Sequence, residues 1–230
     1  MATAKKEVVE IRPLEFVECK LNIVGDTSMI QHAWGVKAKQ QMLEAQRGVK
    51  KGKAKEPKNP VFDFVESMYW INGRPDVDPK MKDEEIEEAF VEAVQNGARF
   101  GFPVTGIKQA AISASYRMGW SKDKASLRGV FFLDAVDELD PSNTDLAVIE
   151  SDVPTIREDM VRIVGTTDIR YRGEFRNWRT TIKLRYNKNG NYSLENIINM
   201  INAGGIVCGL GEWRPERDGN HGMFHVEFCE

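Results

Sequence analysis

Three histidines, three cysteines and a scatter of loop carboxylates are all that this 230-residue sequence offers for catalytic chemistry. His32 follows the first apolar run in a loop, where an imidazole could serve as a general base. Asp26 and Asp168 sit at turns and have the oxygen chemistry of a metal-dependent nuclease, although turn formation alone accounts for an aspartate there. His221 and His225 are separated by a glycine and lack metal-ligand spacing with Cys19, Cys208 or Cys229. No CxxC pair, P-loop, GxSxG, HExxH or EF-hand signature occurs. No catalytic residue, cofactor or metal is therefore expected. Cys19 and Cys208 lie inside apolar runs and read as buried, reduced thiols, as in a cytoplasm.

Binding chemistry is more visible. Between Arg157 and Lys188 run Arg162, Arg170, Arg172, Arg176, Arg179, Lys183 and Arg185, interleaved with Tyr171, Phe175, Trp178 and Tyr186. Arginine grips phosphate and aromatic rings stack on bases, so this pattern suits a single nucleic-acid strand. A solvated sheet with arginines outside and aromatics inside gives the same alternation. Residues 37–58 carry eight Lys or Arg, among them Lys50, Lys51, Lys53 and Lys55, against two Glu. Such a segment folds over a phosphate backbone or serves as a solvated linker, and 47–60 reads as an exposed basic loop. Near the C-terminus Gly204, Gly205, Gly209, Gly211, Gly219 and Gly222 surround Arg214 and Arg217. Exposed amides beside two arginines can hold phosphates; a hairpin connection also accounts for the glycines.

These residues need elements to position them. Residues 14–25 read as the first strand. Helices are expected over 37–46, 81–96 and 105–118, with a short one at 120–127. In the second of these, Ile86, Phe90 and Val94 form one stripe, and Asp83, Glu84 and Glu85 suit the helix dipole at its start. Strands are expected at 130–133, 147–149, 161–164, 169–171 and 178–186. The last alternates Trp178, Thr180, Ile182, Leu184 and Tyr186 against Arg179, Thr181, Lys183 and Arg185. Ser193 caps a helix whose apolar stripe ends at Gly204-Gly205, with strands to follow at 206–210 and 223–228. Irregular alternation of helices and strands favours an α+β fold over a doubly wound sheet, in one domain over 1–230 with a helical insertion at 76–100.

The charge is near balance, 32 Lys and Arg against 35 Asp and Glu, which disfavours a simple basic DNA-coating protein but leaves room for a local basic groove. No apolar stretch is long enough to cross a membrane, and the N-terminus lacks the apolar segment of a signal peptide.

Two stretches together resemble a family. Phe102-Pro103-Val104-Thr105-Gly106-Ile107-Lys108-Gln109-Ala110 is similar to the hydrophobic-Pro-Gly-Ser-Ser-hydrophobic-Lys-Gly motif that starts a helix in RAMP proteins, subunits of CRISPR effector complexes. The apolar helix followed by Gly-Gly and by Gly209 to Gly222 resembles their terminal glycine-rich motif. The chain as a whole is similar to proteins of bacterial viruses and prophages, which would place it in a bacterial host's cytoplasm. The resemblance implies a ferredoxin-like (RRM-like) antiparallel sheet core with helices on one face and inserted loops. It also implies binding of RNA or single-stranded DNA, by subunits that stack into homo-oligomers or filaments along the strand. Lys108 matches the family's lysine, and Gly209, Gly211, Gly219 and Gly222 match its glycine loop. In some relatives a His or Asp just after the first strand cleaves RNA, a region that Asp26 and His32 occupy here.

The expectation is thus a non-enzymatic single-strand-binding subunit. Arg179, Lys183 and Arg185 would meet phosphates from a sheet face, Arg214 and Arg217 from the glycine loop, and Tyr171 or Trp178 would stack on bases. One alternative is a phage protein acting through protein contacts, as an inhibitor or a structural subunit, with the acidic helix Asp83 to Glu92 as its surface. Another is an endoribonuclease of the same fold using His32 or Asp26.

Overall fold

The computed structural model describes residues 13–48, 58–163 and 165–228. It is a mixed α+β structure with antiparallel sheets. The largest sheet has four strands: β1 (Phe16–Gly25), β5 (Phe131–Ala135), β9 (Arg179–Asn187) and β10 (Phe224–Phe228), ordered β10-β1-β9-β5. Every neighbouring pair is antiparallel, so β1 and β5 run in the same direction on either side of β9.

Two helices, α4 (Val104–Arg117) and α5 (Leu194–Ala203), pack together behind this sheet. Strand alternation drives the arrangement. Leu21 and Ile23 of β1, Ile182 and Leu184 of β9 and Phe131 of β5 are sealed from solvent, facing Ile107 and Ala111 of α4 and Ile197 and Ile201 of α5. Each such side chain contributes about 1.5–3 kcal/mol on burial. Ser193 caps α5 by accepting from the Asn196 N–H, and Asn196 returns the bond. The two helices approach closely where Gly204 meets the Ala111 backbone; a Cβ there would lie 2.7 Å from the Ala111 nitrogen. The alternate residues of the sheet, Phe16, Glu18, Lys20, Arg179 and Arg185 among them, remain exposed on the other face.

Two long excursions interrupt this core. The first holds β2 (Met29–Ile30), α1 (Val36–Gln46), α2 (Pro60–Glu66), β3 (Tyr69–Asn72), α3 (Asp83–Gln95) and β4 (Arg99–Pro103). The second holds β6 (Leu146–Ile149), β7 (Thr155–Ile163) and β8 (Thr166–Phe175). They form two three-stranded sheets, β3-β4-β6 and β2-β8-β7. The edge-to-face pair Phe100 of β4 on Phe175 of β8, at 5.4 Å, joins the two sheets, and Phe64 of α2 meets Phe90 of α3 at 5.0 Å. A buried ion pair, Arg99 to Asp137 at 2.5 Å, ties β4 to the loop after β5.

Several elements differ from the sequence expectation. Residues 120–127 are turns instead of a helix. Ser121, Asp123 and Ser126 bond to one another and to local backbone, which competes with helical bonding. Residues 99–103 form β4, a strand not expected there, whereas α4 starts at Val104, within a residue of the expected 105. α5 ends at Ala203, before Gly204-Gly205 as expected, but Gly204 keeps helical angles and the chain winds on as a π-helical turn over Gly204–Cys208 where a strand is expected. The left-handed residue that ends it is Gly209, at φ +67. The hairpin β7–β8 is much longer than 161–164 and 169–171, because it buries ion pairs, such as Asp159 with Arg157 and Arg172, where hydropathy reads only charge. The basic loop 47–60 falls largely outside the described residues, as do Lys50, Lys51, Lys53 and Lys55. Its end, from Asn59, caps and starts α2. Within 76–100 lies α3, followed by the start of β4.

Candidate nucleic-acid interface

The outer face of the four-stranded sheet carries three of the expected phosphate-binding residues, Arg179, Lys183 and Arg185, and two of them are already engaged. Arg179 pairs with Glu150 at 2.7 Å. Lys183 lies between Asp134 at 3.5 Å and Glu18 at 3.8 Å, and Lys188 meets Glu15 at 3.5 Å. Arg185 differs. It has no carboxylate in ion-pair range among the described residues, and its guanidinium lies over two rings, 5.2 Å from Phe132 and 5.8 Å from Phe16. These rings are themselves in edge contact at 6.4 Å. Lys108 reaches the same place from α4, its Nζ 4.6 Å from the Phe132 ring, and partial burial lowers its pKa. Two residues singled out by unrelated patterns, Lys108 and Arg185, thus converge on one aromatic ring.

Phe16 and Phe132 were missed by the sequence reading. The signal was present in strand period: Phe131 points inward, so its neighbour Phe132 must point outward. Phe16 occupies an outward position at the start of β1 and is half exposed. Trp178, by contrast, is 1% exposed and donates its indole N–H to the Thr27 carbonyl, so it offers no face to a base. Tyr171 sits away on β8, half-buried. Burial raises its pKa, as do the hydrogen bond and charge of Glu158.

Of the remaining cations of 157–176, all but Arg162 are also paired. Arg157 meets Asp159 and Glu174, Arg170 meets Asp168, and Arg176 meets Glu174. Arg172 is buried and reaches Asp159 at 3.4 Å and Glu212 at 3.8 Å, leaving its Nε without a partner.

The glycine-rich segment forms a second feature. With the start of α4 it encloses a cleft of about 370 Å³ lined by His32, Tyr69, Gly106, Gln109, Gly209, Gly211, Glu212 and Arg214. Its glycines have internal reasons to be glycine. Gly211 adopts φ +72, and a Cβ there would stand 2.2 Å from the Ile30 carbonyl oxygen. Gly222 and Gly219 press equally closely on the Leu210 and Trp213 carbonyls. Arg214 is turned inward, donating to the Gly211 carbonyl at 2.7 Å and to Glu216 at 3.0 Å. Arg217 is exposed, with no carboxylate partner among the described residues. Burial opposes the charge on Glu216, but Arg214 and Arg117 outweigh it and hold the carboxyl below its ordinary pKa. His32 and Arg172 do the same for Glu212.

Asp26 and His32, the two alternatives for a nuclease, have separate surroundings. Asp26 bonds to His225 at 2.7 Å, raising the histidine's pKa, whereas His32 faces Glu212 at 3.6 Å. Ser28 touches both Glu174 at 2.6 Å and His221 at 3.0 Å, but the histidine nitrogen and the carboxylate both bond the hydroxyl itself, so no relay is formed. Among the described residues no group of three His, Cys, Asp or Glu side chains is placed to hold a metal ion. No described helix is long and apolar enough to cross a membrane. No family model matches the chain, and no curated protein sequence matches it significantly.

Proposed function

We propose that the protein is a non-enzymatic subunit that binds single-stranded RNA or DNA on the open face of its four-stranded sheet. The observation that carries this reading is the cluster Lys108, Phe132, Arg185 and Phe16, two cations and two aromatic rings at one end of a sheet face left open by the described residues. A base has a π-face that stacks on such rings whatever its identity, while the cations meet the adjacent phosphates. The strand order supports the reading. With β1, β5, β9 and β10 taken as strands one to four, the sheet runs 4-1-3-2, α4 leads into the second strand, and α5 joins the third to the fourth. This order supports the ferredoxin-like (RRM-like) core of the proposal; in RRM domains aromatics on a four-stranded sheet stack on single-stranded RNA bases. It is also in keeping with the resemblance of residues 102–110 and of the glycine-rich segment to RAMP motifs.

The test is fluorescence-anisotropy titration with labelled single-stranded RNA, single-stranded DNA and duplex. Binding to a single strand is expected, and Phe16→Ala with Phe132→Ala should weaken it by about 1–3 kcal/mol per stacked base while leaving the fold intact. Binding unchanged by the double substitution would remove the sheet face from the proposal. No binding to any of the three would favour a protein that acts through protein contacts.

A further inference from the structure

We propose that the outer edge of β7, unpaired among the described residues, pairs with the same edge of a second copy, joining two protomers about a two-fold axis at Met160. β7 is the outermost strand of the sheet β2-β8-β7, nine residues long and free of proline and glycine. Its register with β8 runs unbroken from Thr155 opposite Glu174 to Ile163 opposite Thr166, so no bulge twists the edge away. A long regular edge presents a row of N–H and C=O groups that another strand can complete. Its outward face is partly apolar: Met160 is 74% exposed and Ile156 47%.

Proteins commonly blunt such an edge with charge, but the charges here have a different arrangement. Glu158 and Arg162 lie two residues to either side of Met160, both exposed and on the same face. In an antiparallel pair centred on Met160, Glu158 lies opposite the partner's Arg162 and Arg162 opposite the partner's Glu158. The two methionines meet on the axis. Opposite charges directly across a pair stabilise it, and like charges oppose it. Neighbouring registers lack this match. Centring on Asp159 sets that buried aspartate against its own copy, centring on Glu158 sets two glutamates together, and centring on Val161 puts Met160 against the partner's Arg162. Arg162 has no carboxylate partner within its own protomer among the described residues. Glu158 is steadied by the Tyr171 hydroxyl. The contact is isologous and closes as a dimer. It requires no nucleic acid and stands independently of the sheet-face proposal.

The experiment is sedimentation velocity over a concentration series on nucleic-acid-free protein. The wild-type chain is expected to reach a dimer. Glu158→Arg alone and Arg162→Glu alone each place two like-charged pairs across the axis, and each should weaken dimerisation about tenfold or more. Mixing these two variants in equal amounts restores both opposite-charge pairs, so a heterodimer should form where neither variant associates alone. The double substitution E158R/R162E should dimerise by itself. A wild-type chain that stays monomeric throughout would overturn the proposal. So would single variants that dimerise like wild type, or a mixture and a double variant that both fail to recover association.

Discussion

Asp137 offers a direct test of how the inserted sheet is held to the core. Its side chain is nearly sealed from solvent and accepts from Arg99, from Asn143 and from the backbone N–H groups of Leu139 and Asp140. Burial works against its charge, but these donors prevail and lower its pKa from 3.8 to about 2. The folded form therefore favours the ionised carboxylate by about 2 kcal/mol. Because the folded pKa is the lower one, this stability is fully present well above pH 4 and is lost as pH falls through 3.8 towards 2. Asp137→Asn should cost at least that amount at pH 7, since it also leaves the Arg99 guanidinium, whose Nε is already unpaired, without its counter-charge. With a urea slope of about 2 kcal/mol per molar, the unfolding midpoint should fall by about 1 M. At pH 3 the ionisation part shrinks to about half, so the two midpoints should draw together. An equal gap at both pH values would show that packing, and not ionisation, sets the loss. No gap at pH 7 would show that the pair contributes nothing.

Two further outcomes follow from the geometry. Gly211→Ala puts a Cβ against the Ile30 carbonyl in a left-handed backbone and should destabilise by more than 2 kcal/mol. Gly119→Ala, equally left-handed at φ +74 but in open space, should cost only about 1 kcal/mol; thermal unfolding at matched conditions separates them. In single-strand binding, only a few cations of the sheet face lack carboxylate partners, namely Lys20, Lys108 and Arg185 within the described residues. The logarithm of the binding constant should thus fall with the logarithm of salt at a slope near −2, and a slope several-fold steeper would point to cations elsewhere.

Much of the core was legible because it follows period. β1, α3, α4, β9 and α5 have strong alternation or 3.6-residue stripes, and in β9 the inward and outward sets are those expected. What escaped was set by tertiary contacts. The hairpin β7–β8 buries Asp159, Arg172 and Glu174, so its sequence looks like a charged loop. Cys208 and its neighbours look like a strand but are wound into a π-helical turn between α4 and Phe224. For the candidate site, Lys108 and Arg185 could be named from sequence, but their meeting point could not. Phe132 joins them only because β5 lies at the sheet edge beside α4.

The ion pairing changes what a basic, aromatic-rich stretch means. From sequence, the arginines between 157 and 188 read as a phosphate track. In the fold most of the cations there neutralise carboxylates, some brought from distant positions, as Glu150 to Arg179 and Glu15 to Lys188, and a paired cation gains little by exchanging its carboxylate for a phosphate. On the proposed reading, affinity on this face would come chiefly from stacking on Phe16 and Phe132, which suits a chain of nearly balanced charge. The same logic separates binding from assembly. The edge of β7 lies on a different sheet from the aromatic cluster, and its two-fold contact closes after two copies. Any filament along a strand must therefore use a second, head-to-tail surface, whereas a dimer joined through β7 would carry two aromatic faces and gain in avidity on one strand only if that strand spans both.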